Sequence, residues 1–264
     1  MEANGHDRKG LVMFLEFLGT ALFVWGVLCT QEAISIPFSL FASVVIFGDI
    51  TGGHFNPAVT LGVFTSRGDY GANILFCILI MLSQFAGGFA AIGLAWAGTL
   101  DLPNDKLPAL APTNPATGLA DTSAEDNDFK MFFAVMVNEV VCTFLFISVI
   151  LMVKGKHTAG DRVGVVAAAC VVATLMCVIS GTNRLGACFN PALGTGLTTY
   201  SVLRTDTEDN NYLYHYLWCY IIGPYIGGLA AGMFHMLHAK AFEPKDGTRG
   251  DFSPDSQQRL MSHE

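Results

Sequence analysis

The tetrapeptide Phe-Asn-Pro-Ala occurs twice, as Phe55-Asn56-Pro57-Ala58 and as Phe189-Asn190-Pro191-Ala192. Each copy follows a loop-like, glycine-containing run, Gly52-Gly53-His54 in the first case and Gly181 to Cys188 in the second. Each leads into an apolar segment of about ten residues, running to about Phe64 and about Thr199. Asn is a favoured N-cap, and Pro is favoured at the first helical position, where its missing N–H would have no partner anyway. Each copy therefore reads as the start of a short helix with an Asn at its positive end. A helix of that length is too short to cross a bilayer, which takes about twenty residues.

The surroundings of these segments are membranous. The chain has 264 residues, of which 52% are hydrophobic and 14% charged; soluble domains carry about 25% charged residues. Apolar stretches are predicted as spans at about 11–29, 36–50, 72–97, 131–153, 163–179 and 212–237. The first carries Glu16 and has no small-residue cleavage site after it, so it reads as a retained helix rather than a leader. The net charge of −8 argues against nucleic acid as a partner. Seven cysteines lie in apolar surroundings without metal-ligand spacing and read as small core residues. No metal or cofactor is expected. Neither is an enzyme, since no Ser/His/Asp set or phosphate loop appears.

Lys and Arg orient the spans. Arg8, Lys9, Arg67, Lys154, Lys156, Arg162, Lys240, Lys245, Arg249 and Arg259 fall on one side; Lys106, Lys130, Arg184 and Arg204 fall on the other. By the positive-inside rule both termini are expected in the cytoplasm, which six spans allow. Residues 1–10 and 239–264 are then cytoplasmic segments flanking a membrane domain at 11–238. Whether that membrane is the cell surface or an internal one is left open.

The halves repeat beyond the tetrapeptide. Glu16-x-x-x-Thr20-x-Leu22-Phe23 recurs as Glu139-x-x-x-Thr143-x-Leu145-Phe146, and Gly87-Gly88-Phe89-Ala90-Ala91 as Gly227-Gly228-Leu229-Ala230-Ala231. The repeats cover about 11–97 and 131–238. Each holds three spans, an odd number, so the halves enter the bilayer from opposite faces. The two short helices become re-entrant half-helices whose Asn-capped ends meet near the midplane. Irregular backbone at that depth must be buried in protein or line a wet cavity. The glycines suit close helix packing. Glu16 and Glu139 are costly in a span and should face inward. Their matched placement favours carboxylates that accept N–H groups from the loops before the half-helices; the other reading is proton coupling.

Together, Glu16 to Thr20, Gly52 to Gly62, Gln84 to Gly87, Glu139, Asn190-Pro191-Ala192 and Gly223-Pro224 resemble the aquaporin (major intrinsic protein) family. The resemblance spans about 10–230. It implies an all-α bundle of six tilted membrane helices and two half-helices, assembled as a homotetramer with one pore per subunit. It implies passive passage of water or small neutral solutes, with protons excluded at Asn56 and Asn190, and with His54 lining the cytoplasmic half. It also implies an outer selectivity filter, whose positions count to Ile36, Val178, Ala187 and Leu193, with Ile36 exchangeable for Phe38. The family usually has Arg after the second motif; here Leu193 stands there, and all four filter positions are apolar. Arg184, just upstream, is a candidate vestibule cation. Slow water passage is one expectation; preference for glycerol, urea or ammonia is another. A proton-coupled transporter using Glu16, Asp49 or Glu139 is a third, and a nonconducting membrane protein a fourth.

Overall fold

Hydrocarbon offers no partner to backbone N–H and C=O groups, so a spanning chain must satisfy them internally, and a helix does so within itself. The computed structural model describes residues 5–29, 34–98, 129–153, 173–175, 185, 188–204 and 214–241, and all regular elements among them are helices. In chain order these are α1 (Gly5–Leu28), α2 (Ser35–Thr51), α3 (Pro57–Arg67), α4 (Tyr70–Gly98), α5 (Phe129–Val153), α6 (Pro191–Arg204) and α7 (Leu217–Ala241).

Helices α1, α4, α5 and α7 are long and apolar enough to cross a membrane. Helix α2 has 17 residues and reaches about 25 Å at the usual rise, the short end of the spanning range. Of the fifth expected span, only 173–175 lie within the described residues. The two short helices are somewhat longer than the sequence suggests. Helix α3 has 11 residues and α6 has 14, ending at Arg67 and Arg204.

The core is largely apolar, as in a soluble protein, but so is the surface. Phe14, Val45, Ile46, Leu75, Leu82, Phe133, Met233 and Leu237 are exposed on the periphery, while Glu16, Gln84, Glu139, Asn56, Asn190 and Thr60 are buried inside. An exposed apolar surface of this extent suits lipid.

Packing follows the repeat. Helix α1 lies against α4, and α5 against α7 in the same way. Gly87 of α4 faces the carbonyl oxygen of Phe17, and Gly227 of α7 faces that of Val140; a Cβ at either site would overlap the facing oxygen. The neighbouring glycines reach across the halves. Gly88 of α4 abuts the Ala192 carbonyl of α6, and Gly228 of α7 abuts the Ala58 carbonyl of α3. Each half-helix is thus seated on the last helix of the opposite half. That exchange brings the starts of α3 and α6 together at the centre.

Candidate functional site

The backbone before each half-helix is forced into a rare shape. Phe55 has φ 45° and Phe189 has φ 52°, both in the left-handed region that bulky side chains avoid. The preceding Gly52 and Gly53 are at φ 91° and 64°, where glycine carries little steric cost. Gly52 also ends α2, its N–H donating to the Gly48 carbonyl at 2.8 Å. These reversals turn the chain back so that Asn56 and Asn190 each begin a helix.

A buried carboxylate holds each reversal. Glu16 accepts the His54 N–H at 3.0 Å on one oxygen and the Phe55 N–H at 2.8 Å on the other. Glu139 accepts the Cys188 and Phe189 N–H groups, both at 2.9 Å, in the same two-oxygen arrangement. Consecutive N–H groups at the turn would otherwise be buried without partners, at roughly 1–3 kcal/mol each.

The asparagines divide their hydrogen-bonding groups among three tasks. Asn56 Oδ1 accepts from the Ala58 N–H at 2.8 Å and the Val59 N–H at 3.4 Å. Asn190 Oδ1 accepts from Ala192 at 3.0 Å and Leu193 at 3.3 Å. Each side chain caps its own helix. Each Nδ2 then donates across the interface: Asn56 to the Phe189 carbonyl at 2.8 Å and Asn190 to the Phe55 carbonyl at 2.9 Å. The left-handed turns are what aim those carbonyls at the opposite half. A primary amide has two N–H donors, so one remains on each Asn after this crossed pair is made. An N-cap with both amide N–H groups directed outward is the simpler sequence reading; the structure commits one of them to the other half.

Asn56 and Asn190 line a cavity of about 20 Å³, enough for about one water molecule. His54 and Cys188, each two residues before an Asn, also line it. The remaining walls are Phe23 with Phe146, Leu40 with Leu175, and Ile36 with Phe189. The phenylalanines were legible as a repeat, in Leu22-Phe23 and Leu145-Phe146, but not as cavity walls. Leu40 and Leu175 sit in apolar runs that carry no motif at all.

Ile36 thus reaches the cavity. Leu193 is only 1% exposed, part of the apolar core, and is not among the residues lining this cavity. Val178, Ala187 and Arg184 lie outside the described residues. Pro57, Ala58, Pro191 and Ala192 are buried in the first turns of their helices.

A second polar group extends from the first half. Gln84 of α4 donates to Glu16 at 2.7 Å and to the Thr60 hydroxyl at 2.9 Å. Thr60 Oγ1 lies 3.2 Å from His54 Nδ1. Gln84 stands in the sequence motif, but its role there is invisible without the fold.

Comparison with known proteins gives the family. The family described as Major intrinsic protein matches residues 9–235. A glycerol uptake facilitator protein-like 6 of Lactiplantibacillus plantarum is 29% identical over 236 residues, covering 85% of this chain and 94% of that protein. Aquaporin AqpM of Methanothermobacter marburgensis is 25% identical over 197 residues, covering 74% and 71%. Among solved structures, the aquaglyceroporin from Plasmodium falciparum superposes with a TM-score of 0.65 at 18% identity, covering 86% of this chain and 96% of that one; it speaks to the fold. The chain belongs to the major intrinsic protein family. It is a membrane protein of a channel family for water or small solutes, whose members are passive channels rather than enzymes.

Proposed function

We propose that the cavity between Asn56 and Asn190 is the midpoint of a passive water pore that excludes protons, and that its outer filter is apolar and slow. The observation that carries this reading is the division of the two amides, with one donor on each left for a solute in a space of about one water. A water meeting two donors turns its oxygen toward both. Its own hydrogens then point away along the pore, and a chain of waters that could relay a proton is interrupted there. The positive ends of α3 and α6 converge on the same point and oppose cations. His54 supplies polarity on the side of the first half.

The neighbouring walls offer little else. Phe23, Phe146, Leu40, Leu175 and Ile36 return no side-chain hydrogen bonds to a water in single file. With Ile36, Val178, Ala187 and Leu193 at the outer filter, and Arg184 in the vestibule, the filter is apolar where the family usually has Arg. An unmet hydrogen bond costs roughly 1–3 kcal/mol, so the filter slows water. Four subunits, each with its own pore, complete the reading.

Stopped-flow shrinkage of proteoliposomes tests it. A measurable water flux, slower than that of an ordinary water-selective relative and independent of a pH gradient, is expected. A fast flux with a low activation energy sinks the apolar-filter part; gradient-driven uptake sinks the channel part. Leu193→Arg is expected to change the ratio of water to glycerol flux, measured in the same vesicles. A second reading, a pore chiefly for glycerol or similar solutes, is favoured by the similarity to a glycerol uptake facilitator-like protein. Glycerol flux exceeding water flux in the unaltered protein would select it.

A further inference from the structure

The two halves differ in what completes the carboxylate clamp. Aligned on Gly87 and Gly227, Gln84 of the first half corresponds to Pro224 of the second. Aligned on the asparagines, His54 corresponds to Cys188 and Thr60 to Gly194. Pro224 lies inside α7. It has no N–H, so the helix bond that residue 224 would make to the Tyr220 carbonyl is missing.

The Cys188 sulfur lies 3.3 Å from that same Tyr220 carbonyl oxygen. It is also 3.5 Å from Glu139 Oε2, which already receives the Phe189 N–H. The single thiol hydrogen has two acceptors in reach, and the nearer is the carbonyl that Pro224 leaves without a helical donor. Gly194 makes room for the sulfur: a Cβ there would stand 3.1 Å from Sγ and 3.2 Å from the Tyr220 Cβ. Tyr220 holds the loop a second time, its hydroxyl donating to the Leu185 carbonyl at 2.8 Å. Both Cys188 and Tyr220 are buried.

We propose that Cys188 is a positioning residue for Asn190, its thiol donating to the Tyr220 carbonyl freed by Pro224 and so tying the second loop to α7. In the first half Gln84 ties the loop to α4 through Glu16. Here a proline and a thiol do the same task as a matched pair. Neither residue is informative alone: the proline without the thiol leaves a weakened helix ladder, and the thiol without the proline has no acceptor vacated for it. The sulfur lines the cavity, so a loosened loop shifts the wall and Asn190 together.

The pairing is tested by a cycle of variants in full-length protein. The infrared S–H stretching band of Cys188, isolated by subtracting the spectrum of Cys188→Ala, reports the thiol's acceptor directly. Pro224→Ala restores an N–H to position 224, and the band is expected to move as the thiol turns to Glu139. The second measurement is water flux per folded channel in proteoliposomes and rests on the channel reading above; the infrared measurement does not. Cys188→Ala is expected to lower flux about fivefold, the equivalent of roughly one lost hydrogen bond, and Cys188→Ser to retain it. In the Pro224→Ala background the same Cys188→Ala change is expected to have little effect. An S–H band unmoved by Pro224→Ala overturns the proposal, and so does an equal loss from Cys188→Ala in both backgrounds. A wild-type protein without water flux overturns the channel reading and leaves the infrared result to decide the pairing.

Discussion

The loops before α3 and α6 share a backbone, an Asn cap and a carboxylate clamp, and differ in the side chains around that clamp. Both have a Phe at positive φ, an Asn cap, a carboxylate accepting two consecutive N–H groups and an amide bonded to the opposite half. Around the first lies a chain of polar side chains, Glu16 to Gln84 to Thr60 to His54. Around the second lie a thiol, a helix carbonyl and a glycine. The shared requirement is geometric: two carbonyls and two amides must meet in one place. Several chemistries satisfy it, and the first half uses the more hydrogen-bonded one.

Removing the carboxylates should break the comparison most severely. Glu16→Ala strands three described donors, the two backbone N–H groups and the Gln84 amide. Glu139→Ala strands two backbone N–H groups, while the Cys188 thiol keeps the Tyr220 carbonyl. At roughly 1–3 kcal/mol per stranded group, both variants should unfold at much lower temperature in detergent, with Glu16→Ala the worse. Equal midpoints would show that Gln84 adds nothing to the first loop.

The glycine seats should separate the halves next. A Cβ at Gly228 overlaps the Ala58 carbonyl oxygen, whereas one at Gly88 stands 3.0 Å from that of Ala192. Overpacking costs about 1–3 kcal/mol, and Gly228→Ala should lie at the upper end, above Gly88→Ala. Thermal midpoints of the two purified variants check the order; a reversed ranking would mean that α3 shifts more readily on α7 than α6 does on α4.

The smallest effect is expected at Thr60. Thr60→Val removes the hydroxyl between Gln84 and His54 and should cost about 1 kcal/mol, seen as a small fall in the same midpoint. No matching hydroxyl stands at Gly194, where a Cβ would crowd the sulfur at 3.1 Å. A Thr60→Val loss as large as that of Glu16→Ala would place the weight of the first loop on His54 instead.

Much of the fold was legible because lipid leaves few options. Apolar length and two short helices preceded by Asn point a chain to a helical membrane bundle built on an internal repeat. The matched Glu16 and Glu139 pointed to the loops because a carboxylate in a span needs donors. The crossed amide bonds were not legible: they depend on left-handed Phe55 and Phe189, and nothing in a phenylalanine announces positive φ. Leu40 and Leu175 look like any leucine in an apolar run, and only packing turns them toward the cavity. Pro224 was visible, and in a helix it frees the carbonyl of Tyr220, but which group stands near that carbonyl requires the register of α7 against the second loop.

The crossed bonds also bear on how the protein is made. Asn56 is synthesised long before Phe189, and its amide has no acceptor there until the last third of the chain has entered the bilayer. The first half can insert its helices early, but its central turn is completed only by a residue 133 positions downstream. The centre of the channel therefore waits on the second half, and a chain truncated after α5 would carry the first Asn-Pro-Ala segment without the contact that sets it.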